Sequence, residues 1–173
     1  MYEGKPISNA GDDTAWTRAI HDVNAFRGAC LQHFSSAEAA VTETLLLLRN
    51  VPDRGENVRL RHLIGQRFDD LARLVDPGGA FAGEGNAVAK ALSELRTIES
   101  FRTCLAHGQA KIAVERNGQW IVIFRMVAIR AKQAERSMVV LEQADAEQRM
   151  ADLKRKSQAL CSVLGNFRRS ITG

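Results

Sequence analysis

The sequence predicts a mainly α fold: a bundle of four to five helices, with a small antiparallel β-hairpin or meander at about residues 110–141 inserted before a long C-terminal helix. Two observations carry most of this. Apolar side chains recur in steps of three and four from Trp16 to Leu105, and again from Ala146 to Ile171, which is the spacing of one helical face. Between these stretches, from Gln109, the period drops to two, and Asn117-Gly118 separates two alternating runs as hairpin turns do.

The first dozen residues, with Gly4, Pro6, Asn9 and Gly11, read as a flexible lead (1–12), and 13–173 as a single domain. Asp12 and Asp13 suit the N-cap of a helix whose apolar positions are Trp16, Ile20, Val23, Cys30, Phe34, Ala37, Val41 and Leu48. This is one long helix or two, because Ser35-x-x-Glu38 has the form of a capping box that restarts a helix. Asn50-Val51-Pro52 stops it, since a residue before proline is pushed out of the α region. A second helix is expected from Glu56 to Val75, with Leu60, Leu63, Ile64, Phe68, Leu71 and Leu74 on one face. Asp76-Pro77-Gly78-Gly79 ends it, and the glycine-rich stretch to Gly85 reads as a loop. The third helix, Asn86 to Ala106, is followed by Gly108 at the C′ position, where glycine takes positive φ at no steric cost.

Lys111–Arg116 and Gln119–Phe124 form the hairpin strands. A two-residue turn at Asn117-Gly118 pairs Val114 with Ile121 and Ile112 with Ile123, leaving Trp120 and Val122 on the other face and Glu115 opposite Trp120. The second strand can run on to Ile129, and Ser137–Leu141 reads as a third strand in preference to the first turn of the final helix. That helix, Gln143 to Ser170, carries Ala146, Met150, Leu153, Ser157, Leu160, Leu164, Phe167 and Ile171 in alternating steps of four and three. At 1.5 Å per residue it is on the order of 40 Å long, and its stripe suits either a bundle or a dimerisation coil.

The 173 residues are one domain's worth. Residues 1–90 carry a net charge of −2 and residues 91–173 a net charge of +6, so an anionic partner is expected to meet the second half. Apolar runs such as Leu45–Leu48 fall far short of the roughly 20 residues that span a bilayer. The polar start has no signal-peptide h-region, so no membrane association and a cytoplasmic location are expected. Cys30, Cys104 and Cys161 are too few and too scattered for a disulfide framework, and buried reduced thiols are expected.

Phosphate-loop, dinucleotide-fold, zincin and paired-cysteine motifs are missing. Cys30 and His33 are three apart on a helix, but two ligands make a poor metal site, and neither a metal nor a cofactor is expected. The remaining constellation is Arg102-Thr103-Cys104-Leu105-Ala106-His107-Gly108, at the end of a helix. An arginine and a histidine five apart on a straight helix point about 140° away from each other. They converge if the helix ends at Gly108 and His107 sits in an irregular last turn. Such a pair suits phosphodiester chemistry, the imidazole moving a proton and the guanidinium gripping the phosphate. Equally, both cations complement the helix macrodipole at a C-terminus.

The R-T-C-L-A-H-G run resembles the R-x4-6-H motif of the HEPN superfamily, small α-helical proteins that include many metal-independent endoribonucleases of toxin–antitoxin and other defence systems. The resemblance implies a HEPN-like bundle in which Arg102 and His107 are the catalytic pair, cutting RNA by attack of the 2′-hydroxyl to leave a cyclic phosphate. It implies a homodimer whose two motifs line one cleft, and a role as toxin or effector with an antitoxin or partner protein. Thr103 stands where active members usually carry Asn, Asp or His, and would contact substrate in its place. Gln109 stands where one toxin group has a modified tyrosine, so that regulation is not implied. The alternative is a catalytically silent HEPN domain that binds nucleotides or RNA, or assembles a complex.

Trp120, with Arg116, Arg125 and Arg130 near it in sequence, has two readings: it stacks a base while arginines such as Arg125 hold phosphates, or it covers a neighbouring helix. Lys154-Arg155-Lys156 and Arg168-Arg169 likewise read as a solvated helix face or as an RNA-binding stripe.

Overall fold

A computed structural model of the chain describes residues 10–130 and 133–173. It is mainly helical, in the order α1 (Ala10–Leu48), α2 (Ile64–Val75), α3 (Ala82–Arg96), α4 (Glu99–His107), β1 (Gln109–Val114), β2 (Trp120–Arg130), β3 (Gln133–Glu142) and α5 (Gln143–Thr172). The expected class therefore holds: five helices, with a three-stranded antiparallel sheet of order β1-β2-β3 ahead of a long last helix. Residues 1–9 of the expected N-terminal lead lie outside the described residues, and α1 begins at Ala10, so Asp12 and Asp13 stand inside its first turn. The chain divides into two compact units. One joins the chain up to Ala29 to Thr103–Met150, and the other joins Cys30–Arg102 to Ala151–Gly173.

α1 is a single helix of 39 residues, and Ser35-x-x-Glu38 does not restart it. Its hydroxyls bond inward along the same helix instead: Ser36 donates to the Gln32 carbonyl, Thr42 to Glu38 and Thr44 to Ala40. The stripe Val23, Cys30, Phe34, Ala37, Val41 and Leu48 is buried as its spacing predicts, whereas Trp16 and Ile20 remain exposed. In the second unit, Phe68, Leu71, Leu74 and Val75 of α2, with Leu92 and Leu95 of α3 and Leu153, Leu160, Leu164 and Phe167 of α5, are buried.

Three helix boundaries move. α2 starts at Ile64 and not at Glu56, because Gly55–Asn57 is a 3₁₀ turn and the chain after it is extended. Arg67 draws this segment off the helix axis by donating Nε–H to the Arg61 carbonyl and Nη2–H to the His62 carbonyl, which leaves Leu60 and Leu63 exposed. α3 starts at Ala82, within the stretch expected as loop. The expected helix from Asn86 to Ala106 is two helices, broken where the Thr97 hydroxyl donates to the Glu94 carbonyl and the Ile98 amide to the Leu95 carbonyl.

The sheet is present, and residues 137–141 do form a strand, but the hairpin register differs by one residue. Val114 pairs with Trp120 and Ile112 with Val122. The turn is not the two-residue type: Glu115 and Gln119 close a loop of three residues, the Gly118 amide bonds the Glu115 carbonyl at 2.9 Å, and Gly118 takes φ +83°. This is a type I turn followed by a left-handed glycine, the next most common hairpin solution. A one-residue slip moves every side chain to the opposite face. Trp120, Val122 and Phe124 therefore face the interior beside Ile112 and Val114, with Leu141 on β3, and Glu115 stands opposite Gln119.

Candidate functional site

Arg102 and His107 both lie on α4 but fall in different units, and each has its own surroundings. In the second unit, Arg102 is half-buried and donates Nε–H to Oε1 of Glu38 at 2.9 Å. The pair lines a groove of about 610 Å³ together with Ser35, Thr42, His62 and Arg67. Arg67 is structural there, since besides its two backbone bonds it donates Nη1–H to the Thr42 hydroxyl at 2.9 Å. Arg102 spends one donor on Glu38, and a guanidinium has four more N–H groups on its terminal nitrogens.

In the first unit, His107 is exposed as the last residue of α4. The expected irregular last turn is not found: α4 is helical through His107, and the Gly108 amide completes a regular bond to the Cys104 carbonyl at 2.8 Å. Gly108 does not take positive φ either. A side chain is excluded there by crowding, because a Cβ would stand 2.4 Å from the Cys104 carbonyl oxygen and 3.2 Å from Cβ of Phe124. Two further carbonyls at the helix end, those of Leu105 and Ala106, accept from Nε and Nη2 of Arg27 at 2.5 and 3.2 Å. Arg27 thus caps α4 where the last carbonyls lack helical partners, with its guanidinium carbon 6.0 Å from the Phe124 ring centre. Thr103 is exposed on the same helix.

Trp120 is not available to stack a base. The register shift turns it inward, where it is 4% exposed, 6.1 Å from Phe26 between ring centres, and its Nε1–H has no hydrogen-bond partner among the described residues. Arg125 stays exposed on the outer face, opposite Gln109 and Met138. Of the basic runs on α5, Arg155 and Lys156 both pair with Asp152, at 2.5 and 2.9 Å, and hold its carboxyl below the usual carboxylate range. Arg168 donates to the Ala40 carbonyl and the Thr44 hydroxyl. Arg155, Lys156 and Arg168 thus pair within the protein's own helices, while Lys154 is exposed.

Among the described residues, no three His, Cys, Asp or Glu side chains gather where they could hold one metal ion. Cys30 is fully buried, and burial pushes its thiol up to about 12. Sequence reasoning missed Arg27, His62 and Arg67 as parts of these surroundings, because each acts across 5 to 79 residues of chain or from an irregular loop that periodicity does not register. Glu38 was visible only as a capping-box residue. No helix among the described residues is long and apolar enough to cross a membrane. No family model, curated protein or solved structure matches this chain.

Proposed function

We propose that the protein is a metal-independent endoribonuclease of the HEPN type, with Arg102 and His107 as its catalytic pair. The observation that carries this reading is the Arg-x4-His run closing α4, with His107 exposed at the helix end and Arg102 half-buried in a groove. In the reaction, the ribose 2′-oxygen attacks phosphorus as its proton passes to a base. The bond to the 5′-oxygen breaks, and that oxygen gains a proton, leaving a 2′,3′-cyclic phosphate and a 5′-hydroxyl. His107 moves one of these protons, and the terminal N–H groups of Arg102 hold the non-bridging oxygens as charge builds on them. Glu38 positions the guanidinium through its Nε bond. Thr103 and Arg125, both exposed, would contact the RNA. The same resemblance carries a cytoplasmic homodimer whose motifs share a cleft, acting as toxin or effector beside an antitoxin or partner protein.

One observation favours a second reading. Because α4 stays helical through His107, residues five apart leave it about 140° from each other, so one helix does not present both side chains to one phosphate. A catalytically silent module that binds RNA or assembles a complex needs no such convergence. Cleavage of single-stranded and structured RNA by wild type, His107→Ala and Arg102→Ala separates the two. The nuclease reading expects wild-type cleavage, cyclic phosphate ends, and a loss of about 100-fold or more in either variant. Intact RNA with the wild type, or unchanged rates in both variants, favours the silent module.

A further inference from the structure

The outer face of the sheet is apolar where an ordinary one-sided sheet is polar. A strand covered on one face alternates apolar-in with polar-out. On β2 the inward positions Trp120, Val122 and Phe124 are buried as expected. The outward positions are Ile121, Ile123, Arg125, Val127 and Ile129, so one charge interrupts an otherwise apolar row. β3 adds Met138 and Val140 beside Arg125 and Ile123. Val127, Ile129, Met138 and Val140 are 64%, 74%, 60% and 51% exposed. Large side chains gathered so openly on one face mark an interaction surface.

Among the described residues, four charges lie on this face: Lys111 opposite Ile123, Arg125 on β2, and Arg136 and Glu142 on β3. Arg136 stands opposite Val127 near one end of the patch, and Glu142 stands opposite Ile121 near the other. They lie six residues apart on β3, about 20 Å, too far to pair within one chain. A two-fold axis parallel to the sheet and just outside its outer face, running across the strands between Met138 and Val140, reverses strand direction and brings each Arg136 over Glu142 of the second copy. It also sets Met138 over Val140, Ile121 over Val127, Arg125 over Ile123 and Lys111 over Gln109, of that copy. β3 is therefore complementary to itself in both charge and apolar character, as an isologous interface requires, while Lys111 and Arg125 meet no acidic group of the second copy.

We infer that the protein forms a two-fold dimer by packing the outer faces of two β1-β2-β3 sheets against each other. With strands about 4.8 Å apart and about 3.4 Å per residue, the patch is on the order of 400 Å² in plan. In plan this is about half the roughly 800 Å² per partner of a standard stable interface, so weak, concentration-dependent association is expected. The sheet dimer does not rest on the ribonuclease reading and differs from it at two points: it covers Arg125, and it joins two sheets and not two Arg–His motifs.

Sedimentation equilibrium of the full chain from about 5 to 200 µM, a range bracketing micromolar affinity, tests it. Wild type should pass from monomer to dimer. Arg136→Glu and Glu142→Arg should each remain monomeric, while an equimolar mixture of the two should dimerise, because both contacts between positions 136 and 142 in the mixed dimer are again between opposite charges. Val140→Lys, with a circular dichroism spectrum and melting temperature like wild type, should also be monomeric. A wild type that stays monomeric at 200 µM overturns the inference. So does a dimer that persists in the single charge variants and in Val140→Lys, since it would use another surface. A mixture that fails to associate overturns the charge pairing and, with it, the two-fold arrangement.

Discussion

Arg102 reaches 64 residues back along the chain to place its Nε–H on the Glu38 carboxylate at 2.9 Å. The bond ties α4 to the middle of α1 and fixes the plane of a guanidinium that would otherwise rotate freely. Both side chains keep partial contact with solvent, so the pair adds little to stability, on the order of 1 kcal/mol or less. Its consequence for a phosphate is orientation.

Glu38 is therefore expected to act as a positioning residue. On the ribonuclease reading, Glu38→Ala should lower RNA cleavage about tenfold, a change near 1.4 kcal/mol in barrier, while the melting temperature barely moves. Glu38→Gln, which still accepts from Nε, should recover most of the rate. Cleavage kinetics beside thermal melts check this, and equal loss in both variants would assign Glu38 another role.

Gly108 is expected to be required for space and not for backbone freedom. Gly108→Ala should destabilise by about 1–3 kcal/mol, the range for overpacking, and Gly108→Asn by more, since Cys104 and Phe124 close the site. A left-handed site gives the opposite order, because asparagine tolerates positive φ better than alanine. Urea unfolding of the two variants decides between them.

Trp120 should report the sheet core and ignore RNA. In a Trp16→Phe background, emission should be blue-shifted, as for a buried indole, and unchanged on adding RNA. Trp120→Phe removes an N–H buried without a partner, whose desolvation alone costs about 1–3 kcal/mol, and should be far milder than Trp120→Ala, for which about 3–5 kcal/mol is ordinary. Quenching by RNA would place the indole outside.

Cys30 gives a signed pH dependence. Its folded thiol titrates near 12 and its unfolded thiol near 9, so the folded state binds the proton more tightly. The contribution is complete below about pH 9 and is lost progressively as pH rises toward 12. Chemical denaturation at pH 8, 9 and 10 should show stability falling most over the upper step, and Cys30→Ala should lessen that difference, the thiols of Cys104 and Cys161, also pushed up by burial, keeping the rest. Native protein at pH 8 should also resist alkylation at Cys30, for want of thiolate.

Local signals settled the elements whose cause is local. The apolar stripe of α5, from Ala146 to Phe167, and the alternation on β2 each specify their element because side-chain period and backbone geometry are the same fact. The class of fold, the sheet before the last helix, and the third strand were all legible in this way. The exposed apolar row from Ile121 to Ile129 was in the sequence too, but which face it occupies depends on a turn.

Tertiary structure decided the rest. Asn117-Gly118 fits two turn types that differ by one residue of register, and only burial of Trp120 against Phe26 selects the face. The start of α2 was set by Arg67 folding back on the carbonyls of Arg61 and His62 while it bonds Thr42 of α1, and the end of α4 was closed by Arg27 from 79 residues away. The Arg-x4-His spacing was in the sequence alone. That α4 remains regular through His107, and that Arg102 answers to Glu38, required the chain to be folded, because both depend on groups that only packing brings within hydrogen-bond reach.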